Sequence, residues 1–192
     1  MLTFSNDFLD FYAHAYKAVT DFRRVMDLPI GTKMTEIESA NHTALYVEEL
    51  TELAVAKNKI DQADAIIDSI YVCMGRCVQA GVYQANMHPY MAYPVLALYN
   101  VAMALKMPIY ALFDEIQTSN MSKTVTDKES VQFEVEHLTS KGLVVEVIEK
   151  QGYYIFKAAT DCPEKGIKKG KVLKPSSYIA ANLKPILFPK AS

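Results

Sequence analysis

The sequence has few cysteines, and their spacing does not indicate a disulfide framework. It has three, so they cannot all pair with one another, and Cys73 and Cys77 lie one helical turn apart in an apolar segment. We therefore expect buried free thiols in a reducing cytoplasm. A metal pair is the less favoured alternative, because no histidine or second cysteine pair has a spacing that would complete it.

Neither an excess of positive charge nor a long uninterrupted apolar run is present. The net charge of -2 argues against a general nucleic-acid binder. The one candidate for a membrane span, residues 89–113, contains Pro94, Asn100, Lys106 and Pro108, which favours a buried helix. The N-terminus lacks the basic start of a signal peptide, so we expect a cytoplasmic protein.

What the sequence does contain is a series of amphipathic and apolar helices. Hydrophobic residues make up 51% of the 192 positions, enough for a substantial core. The spacing of the apolar residues predicts helices over about 5–27, 43–58, 61–79, 94–106 and 109–120. We expect these helices to form a bundle that occupies residues 1–124.

The last third of the chain has a different pattern. A short helix is predicted from about 126 to 142, followed by two strands around a tight turn at Gln151-Gly152. Residues 161–192 contain four prolines and many lysines, and are predicted to be an irregular basic tail. The expected fold is therefore mainly α, with an appendage of helix, β-hairpin and tail over residues 125–192.

Carboxylates occupy unexpected positions in the third predicted helix. Asp61, Asp64 and Asp68 fall within one arc at about 100° per residue, while isoleucine, cysteine, methionine and valine fill most of the remaining circumference. A lone buried carboxylate must either take up a proton or find a cation, because its desolvation is costly.

The second predicted helix carries another acidic arc. Glu48 and Glu52 form a like-charge pair four residues apart, and Glu49 lies beside them. Within this helix no lysine occurs before Lys57. The short connection between the helices predicts antiparallel neighbours, whose facing arcs would bring the carboxylates together. A divalent cation would make that arrangement favourable. The alternative is two ordinary amphipathic helices with acidic outer faces.

Three collinear segments resemble a known family. The segment EELTEL (48–53), followed by ADAIIDSIYV (63–72), resembles the MazG-like branch of the all-α nucleoside triphosphate pyrophosphohydrolases, in its phage and bacterial form. The segments LFDEIQTSNMSK (112–123) and GKVLKPSSYIAANLKP (170–185) resemble two further blocks found in many members. The resemblance implies a MazG-like helical bundle that hydrolyses (deoxy)nucleoside triphosphates to monophosphate and pyrophosphate, with dGTP or GTP favoured.

The resemblance also assigns roles to individual residues. It implies that Mg²⁺ or Mn²⁺, as two or more ions, is held by four carboxylates: Glu49, Glu52, Asp64 and Asp68. Glu48 and Lys123 are the expected catalytic residues, one at the edge of the metal cluster and the other beside the leaving pyrophosphate. Further substrate contacts are expected from Asn120, Lys123, Lys171, Lys174, Phe11 and Tyr12, although core packing is an alternative role for the two aromatic residues.

Two departures from the family pattern stand out. Ala65 occupies the position of the usual glutamate three residues before Asp68, so Asp64 would have to supply that carboxylate. Between Gly75 and Lys106 the chain also has extra residues that could form an additional helix, a dimer contact or a lid.

The resemblance further implies a homodimer or homotetramer in the cytoplasm (the host's, if the chain is phage-encoded), with no nucleic-acid or membrane partner. The competing reading is a non-catalytic nucleotide or metal sensor, or a structural helical oligomer.

Overall fold

A computed structural model describes residues 3–189, and its main architecture is helical. The described chain divides into two compact units. The helical unit contains residues 3–24, 29–117 and 181–189, and the second unit contains residues 25–28 and 118–180. The helices and strands in chain order are α1 (Asn6–Val25), α2 (Glu36–Val55), α3 (Lys59–Gln79), α4 (Pro89–Ala104), α5 (Ile109–Met121), β1 (Thr124–Val125), α6 (Ser130–Ser140), β2 (Val145–Lys150), β3 (Tyr153–Ala158) and α7 (Lys184–Leu187).

The helix α3 is the central element of the helical unit. It contacts both α2 and α4, and thirteen of its residues are buried. Ile66, Ile67 and Ile70 are fully buried in the main hydrophobic cluster, together with aromatic residues from α1 and α5. This burial confirms the prediction that the helix lies in an interior. Cys73 and Cys77 are buried free thiols on the same helix, also as predicted.

The helix α2 begins about seven residues earlier than its apolar stripe predicted. A capping box explains the start: Thr35 Oγ1 accepts a hydrogen bond from the Glu38 backbone N–H (3.2 Å), and the Glu38 carboxylate accepts one from the Thr35 N–H (2.8 Å). None of the α2 residues is buried. The first turns therefore carried no apolar periodicity from which the sequence could have predicted them.

The fourth helix also begins early, at Pro89, and it continues through Pro94. Proline is compatible with the first turn of a helix, where its missing N–H is not needed. The helix accounts for most of the extra segment between Gly75 and Lys106. No single helix within residues 3–189 meets the length and hydropathy criteria for crossing a membrane; α4 and α5 pass that test only as a pair, across a bend of 118°.

The second unit is built on a three-stranded antiparallel sheet in the order β1-β3-β2. In the predicted hairpin Val145 pairs with Ala158 and Lys150 pairs with Tyr153, which leaves Gln151 and Gly152 as the turn, both with positive φ. The edge strand β1, only two residues long, was not predicted. Leu138 of α6 and Phe156 of β3 lie in the hydrophobic cluster of this unit.

The basic tail is less irregular than its composition indicated. Pro163–Lys165 forms a 3₁₀ turn, and the backbone of Leu173 hydrogen-bonds to Phe156 beside the sheet. The short helix α7 then places Leu183 and Leu187 in the core of the helical unit. The C-terminal residues 181–189 thus belong to the first unit, although the sequence prediction assigned all of 125–192 to the appendage.

A buried carboxylate connects α6 to the tail inside the second unit. Glu134 is 2% exposed, and its two oxygens accept hydrogen bonds from the Ser176 N–H and hydroxyl, both at 2.6 Å.

We expect Glu134→Ala to lower the free energy of unfolding by about 1–3 kcal/mol, because it removes both acceptors. The measurement is urea unfolding combined with amide hydrogen exchange in β2 and β3. The exposed Glu136→Ala on the same helix is the control and should change stability by less than about 0.5 kcal/mol. Equal stability of the two variants would contradict the prediction.

Candidate active site

The acidic residues of α2 and α3 form two facing pairs one helical turn apart. We use the name acidic cluster for Glu48, Glu49, Glu52, Asp64 and Asp68. Among the charged groups that raise the pKa of Glu49, Asp68 has the largest effect, and among those that raise the pKa of Asp64, Glu52 has the largest. This order is the one expected for antiparallel helices, in which Glu49 faces Asp68 and Glu52 faces Asp64.

The position of Glu49 between the helices makes its negative charge unfavourable. Burial is the main cause, and the charges of Asp68, Glu52, Glu48 and Asp64 add to it, so that the pKa of Glu49 rises from 4.5 to about 7. Burial also raises the pKa of Asp64, with further contributions from Glu52 and Asp61, even though its side chain keeps contact with solvent. The cluster therefore stores electrostatic repulsion that protons or cations would relieve.

The cluster has the donors of a magnesium site without the finished geometry of one. Across the described part of the chain, no group of three or more His, Cys, Asp or Glu side chains is arranged to hold a metal ion. Within residues 3–189, the glutamates of the cluster form no salt bridge, and neither does Asp64. Hard carboxylate oxygens that repel one another are the donor type that Mg²⁺ and Mn²⁺ prefer, so the residues fit such ions.

The alanine at position 65 has a structural reason. Ala65 is 3% exposed, so a longer acidic side chain there would have to be accommodated inside the helix packing. Asp64 is exposed and interacts with Glu52, which puts its carboxylate on the side of α3 that faces the other acids. This arrangement supports Asp64 as the replacement for the missing glutamate.

Asp61 lies near the cluster and also takes part in starting α3. The N-cap is Asn58, whose Oδ1 accepts hydrogen bonds from the Ile60 and Asp61 N–H groups at 2.9 and 3.0 Å. Asp61 in turn accepts a hydrogen bond from the Asn58 side-chain amide at 2.8 Å. Asn58 therefore occupies the capping position of α3, and Asp61 supports it.

The other predicted polar site residues belong to the second unit. Asn120 is buried, and its side-chain oxygen accepts a hydrogen bond from Lys123 Nζ. Lys171 and Lys174 are exposed, and Lys174 Nζ lies 4.4 Å from the centre of the Tyr178 ring. Their roles toward a substrate stay predictions.

The two aromatic candidates lie in the core of the helical unit. Phe11 is fully buried, with its ring 5.3 Å from that of Tyr99 and 5.7 Å from that of Phe113. Tyr12 is almost fully buried, and its hydroxyl donates a hydrogen bond to the Val82 carbonyl at 2.7 Å. These contacts favour the alternative role in core packing, so we leave Phe11 and Tyr12 out of the proposed site.

A polar network that the sequence did not reveal joins α1, the first half of α2 and the C-terminal end of α3. The buried Arg23 guanidinium donates to Gln79 Oε1 at 2.9 Å, and Gln79 Nε2 donates to Glu38 at 2.9 Å. His42 Nε2 lies 3.0 Å from the same Gln79 Oε1. Burial lowers the pKa of His42, which favours its neutral form.

Arg76 is another residue near the candidate site that sequence reasoning missed. Its Nη2 donates to Ser39 Oγ at 2.9 Å, across the α2–α3 contact. One signal was available: Arg76 is the only charged residue between Asp68 and the end of α3 at Gln79. A lone cation in a mostly apolar stretch of helix needs a partner or a ligand, because its burial is otherwise unfavourable.

Comparison with known proteins bears on the same helices. Residues 19–88 match the family model for phosphoribosyl-ATP pyrophosphohydrolase, which is part of the MazG-like all-α superfamily. Over this span the chain is similar to the MazG-like pyrophosphohydrolases. The matched span contains all of α2 and α3, and with them every residue of the acidic cluster. No curated protein and no solved structure matches the chain.

The family match indicates a hydrolase that acts on phosphoanhydrides, and it leaves the substrate open. Members of the family typically use Mg²⁺. The family match and the facing carboxylates both fall on α2 and α3.

The raised pKa of Glu49 predicts a pH-dependent stability in the absence of metal. Between about pH 4.5 and 7 the unfolded chain has lost this proton while the folded protein keeps it, so stability falls as the pH rises. About one pH unit above this pKa the penalty is fully present and the curve levels off. We expect Glu49→Gln to flatten the decline and to stabilise the metal-free protein at pH 7.5 by about 1–3 kcal/mol.

Urea unfolding from pH 5 to 8 in the presence of a chelator measures this effect. The control is Glu146→Gln, an exposed carboxylate on β2, which should leave the slope unchanged. A wild-type stability that rises through this window, or an equal decline in the wild type and in Glu49→Gln, would exclude the proposed repulsion.

Proposed function

We propose that the protein hydrolyses nucleoside triphosphates, including deoxynucleotides, to a monophosphate and pyrophosphate. The observation that carries the proposal is the pair of facing carboxylate pairs inside the segment that matches a pyrophosphohydrolase family. Attack by water at the α-phosphate would form the new P–O bond and break the bond to the β-phosphate oxygen, so that pyrophosphate leaves. Preference for dGTP or GTP is part of the proposal.

The acidic cluster would serve as the metal-holding side of this reaction. Glu49, Glu52, Asp64 and Asp68 would hold two or more Mg²⁺ or Mn²⁺ ions. Such ions supply charge neutralisation of the triphosphate and lower the pKa of a bound water. The repulsion within the cluster supports this role, because carboxylates that raise one another's pKa gain most from a bound cation.

The remaining groups would handle the proton and the leaving group. Glu48 is exposed at the edge of the cluster, where its carboxylate can accept the proton released by the attacking water. Lys123 is assigned to the leaving pyrophosphate, with Lys171 and Lys174 as further cations and Asn120 as a hydrogen-bonding partner. These four assignments rest on the sequence resemblance.

Pyrophosphate release tests the reaction. We expect the wild-type protein to release pyrophosphate from at least one ribo- or deoxyribonucleoside triphosphate with Mg²⁺ or Mn²⁺, and to lose activity when the metal is chelated. Phosphoribosyl-ATP belongs in the same panel, since the matching family carries that name. Absence of cleavage with every substrate and both metals would favour a non-catalytic nucleotide or metal sensor.

Two substitutions test the ligand assignment. Asp68→Asn and Glu49→Gln should each lower kcat by about 100-fold or more while the helical content is retained, because each removes a metal-binding charge. Asp10→Asn, an exposed carboxylate on α1, is the control and should keep wild-type activity. Full activity in Asp68→Asn would show that the metal ligands were assigned incorrectly.

We also propose that a second copy of the chain covers the outer face of α2. This face carries Ile37, Val47 and Val55, which are 75%, 54% and 67% exposed, and the 20-residue helix contains no Lys or Arg. A solvated helix of this length normally carries charges of both signs on its outer face. Association of two copies would bury the apolar face, and a dimer of dimers would account for a tetramer.

Sedimentation at micromolar concentration tests the association. We expect Val47→Glu to shift the wild-type dimer or tetramer toward monomer, because it puts a charge into the apolar contact. Val101→Glu introduces the same charge at an exposed position of α4 and should leave the assembly intact. A wild-type monomer, or an equal effect of both substitutions, would contradict the proposed interface.

A further inference from the structure

An open cleft lies beside the acidic cluster, between α2, α3 and α4 of the helical unit. Its volume is about 390 Å³, within the range of small-molecule sites. The walls are mostly apolar, with Val72, Met91 and Pro94 among the lining residues. Two tyrosines, Tyr46 and Tyr90, add aromatic surface.

The cleft continues the two helices that carry the carboxylates. Tyr46 precedes Glu49 by three residues in α2, and Val72 follows Asp68 by four residues in α3. One helical turn is about 5 Å long, so the cleft begins next to the Glu49–Asp68 pair. A substrate whose phosphates lie at the acidic cluster would therefore extend its uncharged end into the cleft.

Two polar side chains of the cleft offer different hydrogen-bonding groups. The Arg76 guanidinium can only donate, and its recorded partners are the hydroxyls of Ser39 and Thr43 rather than a carboxylate. Gln79 Nε2 donates to Glu38, which orients Gln79 Oε1 toward His42 and requires His42 Nε2 to donate its proton. Neutral His42 then keeps Nδ1 as an acceptor.

We propose that the cleft binds the base of the substrate and selects bases that carry a carbonyl next to a ring N–H. Guanine, uracil and thymine share this edge, whereas adenine and cytosine present an amino group beside a bare ring nitrogen. Arg76 would donate to the carbonyl oxygen and His42 Nδ1 would accept from the ring N–H. The inference rests on the proposed function and names the substrate class of that site.

Arg76→Met tests the selection of the base, because it keeps a side chain of similar reach and removes all five donors. We expect kcat/KM for the triphosphates of guanine, uracil and thymine to fall by about 10-fold or more. The values for adenine and cytosine should change less than about 3-fold, so the preference of the wild-type protein would disappear. An equal loss for all bases would assign Arg76 to a phosphate, and no loss would remove it from the site; either result overturns the proposal.

Two further variants separate recognition from folding. Ser39→Ala removes the shorter of the two hydrogen bonds between Arg76 and α2 while leaving the guanidinium and its contact with Thr43 in place, so it should keep the base preference. Arg24→Met, an exposed arginine on α1, is the control for loss of charge and should behave as the wild type. Thermal melting of each variant identifies any that fails to fold, and the comparison is made among the folded ones. Loss of preference in a folded Ser39→Ala protein would overturn the assignment.

Binding of nucleosides without phosphates distinguishes failure of this inference from failure of the proposed reaction. Guanosine and uridine, at millimolar concentration, should shift the nuclear magnetic resonance signals of the cleft methyl groups of Val72 and Met91, whereas adenosine and cytidine should shift them at least about 5-fold less. This result would support the cleft even if no triphosphate were hydrolysed. Equal shifts by all four nucleosides, or none, would overturn the proposal even if the protein proved to be an active hydrolase.

Discussion

Carboxylates of α2 and α3 repel one another across a half-buried space, and the rest of the helical unit holds them there. Glu49 shows the cost most directly, since burial and four neighbouring acids raise its pKa to about 7. The burial of Ile66, Ile67 and Ile70 on the other side of α3 offsets this unfavourable energy and holds the helix in place. The apolar residues that made the aspartates look misplaced are thus the reason why they stay in position.

The network around Arg23 and Gln79 complements this arrangement. Its side-chain hydrogen bonds hold the first half of α2 against α3, where α2 contributes no buried apolar residue. The acidic half of the same helix has no equivalent fastening and depends on packing of half-buried residues such as Leu50 and Leu53. One end of α2 is therefore held by polar contacts, while the acidic end carries electrostatic repulsion.

Much of this could be predicted from the sequence, because the helix periods and the Gln151-Gly152 turn are local signals. The sequence also predicted that the acidic arcs of α2 and α3 face each other, because each segment has helical spacing and the connection between them is short. The early start of α2 depended on a capping box rather than on apolar residues, and α7 depended on two leucines finding a distant core. The cleft beside Arg76 could not be predicted because its third wall comes from α4, whose packing is a tertiary property.

The short connection between α2 and α3 also has a consequence for folding kinetics. The two helices and all five acids lie within residues 36–79, joined by residues 56–58, so their contacts are close along the chain. Contacts of low sequence separation form early, because little chain entropy is lost in closing them. We therefore expect the repulsive cluster to assemble before the aromatic residues of α1, α4 and α5 have closed around α3. The folding rate should therefore depend on pH and on divalent cations, because both change the repulsion within the acidic cluster.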